Sequence, residues 1–125
     1  MKKLLTLSAI IEAATGLGLL VAPAALARLL LSGTLDTPAA VTVARVAGTA
    51  LVALGVACWL AASDSQSCVA RGVVSAMVIY NLGAALVLGA TGIRSQLAGV
   101  GLWSAVLLHT AMTVWCLTVF KRKKG

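Results

Sequence analysis

Four polar side chains interrupt an otherwise apolar sequence, and they are of kinds that do chemistry inside hydrocarbon: Glu12, Arg45, Asn81 and His109. A carboxyl and an imidazole exchange protons. A guanidinium pairs with an anion, and a carboxamide orients its partner by donating and accepting hydrogen bonds. Each of the four falls in a different apolar stretch. Ionisable groups in such surroundings are costly, and as a rule they face a bundle interior or a watered cavity.

Their depths follow from the helical rise of about 1.5 Å per residue. Counted from the inner end of each stretch, Glu12 and His109 both lie about 12 to 16 Å deep, Asn81 about 20 Å, and Arg45 about a turn higher. With the first helix beside the last and the second beside the third, Glu12 meets His109 near mid-depth, with Asn81 and Arg45 above them. Ser8, Thr15 and Gly16 share the Glu12 face, and Thr113 stands one turn from His109. The expectation is one polar site that binds or moves a small molecule, ion or proton. Glu12 and His109 would exchange protons, Arg45 would hold an anion, and Asn81 would orient. Plainer readings stand beside this one. Arg45, near a helix start, can snorkel to the outer interface. Glu12 can be a hydrogen-bonded acid that only holds the bundle, and His109 a satisfied core histidine.

Other chemistry has little foothold. A metal site wants three or four ligands, and one His with one Glu falls short. Haem held by two histidines of one chain needs more than a single His. No metal or cofactor is expected. Cys58, Cys68 and Cys116 form no CxxC pair, so they read as small apolar residues rather than as a thiol relay. There is no glycine-rich phosphate loop and no Ser–His–Asp pattern, and the chain reads as a non-enzyme more readily than as an enzyme.

The elements that must carry these residues are set by composition. Of the 125 residues, 61% are hydrophobic, too many for a soluble domain of this size to cover with polar surface. Four stretches approach or exceed the about 20 apolar residues needed to span a bilayer, over residues 4–22, 39–62, 68–90 and 96–120. The predicted fold is all-α: one domain over 1–125, an integral membrane bundle of four transmembrane helices. Between Pro23 and Pro38, residues 24–31 are too short to span and are expected to lie along the outer interface. Thr34-Leu35-Asp36-Thr37-Pro38 offers turn and cap chemistry for the second helix. Residues 63–67 and 91–95 are predicted as loops. Ala44 with Gly48, Gly72 with Ala76 and Ala85 with Gly89 have the spacing that lets helix backbones approach in lipid.

Orientation follows from the cations. Ten Lys and Arg oppose three Asp and Glu, and six of the cations sit at the ends: Lys2, Lys3, Lys121, Arg122, Lys123 and Lys124. Placing both termini on the cytoplasmic side (N-in/C-in) also puts Arg71 inside and leaves Arg28 and Arg94 outside. Trp59 and Trp115 then fall near inner helix ends, where aromatic belts lie. This end-loading argues against nucleic acid as a partner, since phosphate binding needs a cationic face. The start imitates a signal peptide, with Lys2, Lys3, an apolar run and Ala25-Leu26-Ala27. The run is too long for one and Glu12 interrupts it, so a retained helix is expected.

Gly16-Leu17-Gly18 before Pro23, the polar turn, then Ala44-Arg45-Val46-Ala47-Gly48 leading to Leu54-Gly55 resemble the DoxX-like group of small four-helix bacterial membrane proteins. The resemblance covers about the first half. It implies a four-helix bundle in the bacterial inner membrane and, since some members are linked to membrane-bound redox complexes, a non-catalytic subunit as the alternative to a carrier. Ala9-Ile10-Ile11-Glu12-Ala13 is also similar to the first helix of small multidrug resistance transporters, which carries a membrane-embedded Glu; only Glu12 carries over. The expected partners are the lipid bilayer, a small-molecule or ion ligand, and further copies of the chain or a larger membrane complex.

Overall fold

The computed structural model describes residues 1–94 and 99–121 and is helical throughout its regular elements. Five helices follow in order: α1 (Lys2–Val21), α2 (Pro23–Leu31), α3 (Pro38–Ser63), α4 (Cys68–Arg94) and α5 (Leu102–Lys121). Four of them, α1, α3, α4 and α5 as far as Phe120, are long and apolar enough to cross a membrane. The expected start of the last span at Gln96 lies outside the described residues, as do Arg122, Lys123 and Lys124.

Local chemistry sets the breaks. Pro23 forces its predecessor out of the helical region, so Ala22 ends α1 at φ −135° while its N–H still bonds the Gly18 carbonyl. Pro23 then begins α2, where its missing N–H costs nothing. Ser32 closes α2 in the left-handed conformation, φ 51°, and its N–H caps the Arg28 carbonyl. Thr37 caps α3: its hydroxyl accepts from the Ala40 N–H at 3.1 Å. Ser67 does the same for Ala70 at the start of α4. One predicted loop is corrected, because residues 91–94 continue α4. Thr91 stays in the helix by donating its hydroxyl to the Val87 carbonyl at 2.9 Å, and Gly92 leaves room for Leu102 and Trp103 of α5.

Packing pairs neighbours along the chain. The closest contacts join α1 to α3 and α4 to α5, and α3 meets α4 more loosely. The expected contact of the first span with the last is not among the close helix pairs of the described residues. The reason lies in three glycines. A Cβ on Gly16 would lie 2.6 Å from the Gly48 carbonyl oxygen, and one on Gly48 would lie 2.7 Å from the Gly16 oxygen. Gly55, two turns on, would meet Ala13 and Ala9 backbone at 3.0 Å. Only bare backbone allows α1 and α3 to cross this closely. Gly72 and Gly89, in the other predicted pairs, face open space.

The two hairpins close on each other best at the end carrying the N-terminus. Leu4, Leu5, Cys58, Ala61, Ala62, Ala70, Val74, Met77, Met112 and Cys116 are buried there in one cluster. The other end is looser and is covered by α2. Large apolar side chains on all four long helices, such as Ile10, Val43, Ile79 and Leu107, point outward and exposed. An outside this apolar suits hydrocarbon as its solvent.

Candidate functional site

The site is built where the loose end begins. Glu12 projects from the middle of α1 and is 2% exposed; Asn81, from the middle of α4, is 1% exposed. Buried polar groups need partners, and each has one. The Asn81 carboxamide donates through Nδ2 to the Met77 carbonyl at 2.8 Å, one turn back on α4. Its Oδ1 meets His109 Nδ1 of α5, also at 2.8 Å.

That geometry fixes the imidazole tautomer. A carbonyl can only accept, so the nitrogen side of the carboxamide must face Met77 and the oxygen side must face His109. His109 Nδ1 therefore carries the hydrogen. In the neutral ring Nε2 is left as an unoccupied acceptor. His109 is further held by Tyr80, whose ring stands edge-on to it at 83° with centroids 5.6 Å apart. Thr113, buried one turn on, donates its hydroxyl to the His109 carbonyl at 2.8 Å.

Tyr80 is the residue that sequence reasoning missed. Its hydroxyl sits against the Glu12 carboxyl, so it links α1 to the α4–α5 pair. The chain of contacts runs Glu12, Tyr80, His109, Asn81, Met77. One signal could have found it. A tyrosine in mid-span, beside Asn81, has its polar tip far from the interface where such tips normally sit.

A cavity of about 360 Å³ opens beside this chain. Glu12, Thr15, Tyr80 and His109 supply its polar atoms, and the remaining wall is apolar, from Ile11 and Ala14 of α1, Leu26, Leu29 and Leu30 of α2, Leu88 of α4, and Ala105 and Leu108 of α5. Mostly apolar pockets with a few convergent polar groups are the usual form of small-molecule sites. Ser8 lies one turn from Glu12 on the closed side. The residue is 1% exposed, and its hydroxyl is the one buried side-chain polar atom without a partner among the described residues.

Three of the four expected residues thus come together: Glu12 and His109 on the cavity, with Asn81 behind His109. Arg45 does not join them. It is exposed on α3 and lines no part of the cavity. Helical rise gives its depth, but its direction around α3 points away from the site. With an exposed guanidinium free to snorkel, Arg45→Lys is expected to leave the melting temperature in detergent unchanged, because either cation reaches the interface. A marked loss of stability in that variant, with Arg45→Leu worse still, would show a partner that needs the planar fork.

Among the described residues no three His, Cys, Asp or Glu side chains gather as metal ligands do. Comparison with protein-family models, curated proteins and solved structures finds no match. The geometry is therefore the ground for a functional reading.

Proposed function

We propose that this chain is a multi-pass protein of the bacterial inner membrane, with both termini in the cytoplasm, whose interior site binds or moves a small molecule or proton. The observation that carries this reading is the convergence of Glu12, Tyr80 and His109 on one apolar cavity at mid-helix. Structural roles alone would be met by hydrogen bonds closed among protein groups. Here the acceptor Nε2 of His109 has no partner among the described residues, and the cavity beside it is large enough to take a ligand. Glu12, sharing the wall with His109, gives the site a second group that can hold a proton.

Access to Glu12 is the direct test. The lipid-soluble reagent dicyclohexylcarbodiimide attacks membrane carboxyls that can be reached from the bilayer. In lipid nanodiscs it is expected to modify Glu12, read by mass spectrometry of the intact chain and its peptides, and Glu12→Gln should abolish that label. An unreactive Glu12 in the folded protein would leave the cluster a purely structural one. The topology has its own check: a reporter fused after Gly125 should be active only in its cytoplasmic form. Periplasmic activity there would overturn the orientation drawn from the terminal cations.

The reading as a non-catalytic subunit of a membrane redox complex, suggested by the DoxX-like resemblance, is favoured by one feature. Gly72 and Gly83 leave open space on the exposed side of α4, where another helix backbone could approach. A subunit would copurify with stoichiometric partners of other sequence, and a carrier would arrive alone or as a homo-oligomer.

A further inference from the structure

The cavity's walls specify both how a ligand enters and which end of it is bound. The mouth lies on the side of the bundle. Ala14 of α1, Leu29 of α2 and Leu108 of α5 line the cavity and are also exposed, so they form its rim. This rim spans the gap between α1 and α5, which do not pack closely. It is wholly apolar. A charged solute arriving from water would cross such a rim without any compensating group, whereas a molecule dissolved in hydrocarbon loses nothing there.

The roof is fixed rather than loose. α2 supplies Leu26, Leu29 and Leu30 to the wall, and its last turn is held from outside. The Gly99 N–H donates to the Leu30 carbonyl at 3.0 Å and the Gly101 N–H to the Leu29 carbonyl at 2.9 Å. A Cβ on Gly99 would overlap the Leu29 carbonyl, so glycine is required for this clamp. The Leu29 and Leu30 carbonyls, which a short helix would leave unsatisfied, are thereby closed off from the cavity, and selection falls to the polar floor.

The floor is rich in acceptors and poor in donors. The Tyr80 hydroxyl is turned to Glu12, and the His109 Nδ1 hydrogen is spent on Asn81. His109 Nε2 remains as an acceptor. The Glu12 carboxyl keeps acceptor capacity in either protonation state: as the carboxylate it only accepts, and as the acid it also offers one O–H. The Thr15 hydroxyl can act in both senses. Opposite an ionised Glu12, a ligand whose polar end only accepts, such as a ketone or quinone carbonyl, would meet lone pairs at Glu12 and at His109 Nε2 and find a hydrogen at Thr15 alone. One whose polar end donates is matched twice.

On the reading that this cavity takes a ligand, we infer that its natural occupant is a membrane-dissolved molecule with an apolar body and a hydrogen-bond-donating head, an alcohol or an amine that crosses the rim as its neutral base, which enters sideways between α1 and α5. The head sits between Glu12 and His109 Nε2. The body lies along the leucines of α2 and α5.

Octylamine, 1-octanol and 2-octanone share a chain length and differ in the head, so they separate the possibilities. Protein in phosphatidylcholine nanodiscs is treated with excess dicyclohexylcarbodiimide at matched membrane concentrations of each, and the loss of the unmodified Glu12 peptide is followed by mass spectrometry, so that an activated carboxyl captured as octylamide or octyl ester counts as labelled. Octylamine, octanol or both should slow it severalfold while octanone leaves it unchanged. Protection by octylamine alone would assign the head as an amine, and protection by octanol as well would assign donor chemistry without charge. A variant with Leu108→Trp, which narrows the rim, should slow labelling in the absence of any probe while the melting temperature stays near wild type. Protection by octanone equal to that by the donors, or by none of the three, would overturn the inference though Glu12 still labels. Failure of Glu12 to label at all would instead remove the ligand site on which it rests.

Discussion

Replacing Gly48 by alanine is expected to destabilise the protein by about 2–3 kcal/mol or more, although only one methyl group is added. The added Cβ would stand 2.7 Å from the Gly16 carbonyl oxygen and 2.9 Å from Leu19 Cβ. The Gly16 oxygen belongs to backbone held in a helix, and no side-chain rotation can clear it. The two helices must separate, and the close contacts along the whole α1–α3 seam weaken together. Gly72→Ala is the matched control, since a Cβ there meets nothing within 4 Å and alanine is the better helix former. Reversible unfolding in mixed micelles should therefore show a large loss for Gly48→Ala and none for Gly72→Ala. Equal effects would mean that helix propensity rather than the backbone crossing governs both. The substitution should also reach the site, because α1 carries Glu12 one turn from Gly16. Slower labelling of Glu12 in a partly separated bundle would contradict that link.

How far the sequence could take a reader differs between the span pattern, the pairing of spans and the site. Four apolar stretches with prolines and polar turns between them specify helices almost unaided, because in hydrocarbon a backbone must satisfy its own hydrogen bonds. Pairing is a weaker signal. Small residues at helix-packing spacing occur on α3 and twice on α4, yet of the three glycines in those pairs Gly48 meets another helix and Gly72 and Gly89 do not. Spacing states that a close approach is allowed, not which helix makes it. The first-to-last contact was expected from the neighbour order of an up-and-down bundle, and a gap with a cavity is found there instead.

The site was legible in the residues that a membrane interior makes expensive. Glu12, Asn81 and His109 stand out because each would be costly without a reason to be there. Arg45 passed the same filter and lies elsewhere, since matching depth leaves the direction around the helix open. Tyr80 escaped for the opposite cause. A tyrosine costs less in an apolar helix than an ionisable group, so its mid-span position was the one signal, and the fold then sets its hydroxyl against Glu12 of the other hairpin. Thr113 and Thr15 were placed by helical spacing alone, and both are found on the faces that spacing gave them.

Asn81 supports the site without touching the cavity, and a double-mutant cycle with His109 is expected to show this. Asn81→Leu removes the acceptor for His109 Nδ1–H and strands a donor in a dry environment. Leaving a buried group unpaired costs about 1–3 kcal/mol. His109→Leu strands the Asn81 oxygen in the same way. In the double variant both orphans are gone, and two leucines of similar bulk fill the space. The double variant should consequently lose less stability than the two single losses combined, by about 1–2 kcal/mol. Nitrogen-15 chemical shifts of the imidazole give a readout that a merely structural role would not move. In the wild type Nδ1 should be the protonated nitrogen and Nε2 the bare one. In Asn81→Leu that preference should collapse towards a mixture, because nothing then holds the hydrogen on Nδ1. Glu12 labelling should respond too: once Nε2 is a donor for part of the time, 2-octanone should begin to protect. Additive stabilities with an unchanged tautomer would detach Asn81 from the site and leave His109 positioned by Tyr80 and the α5 backbone alone.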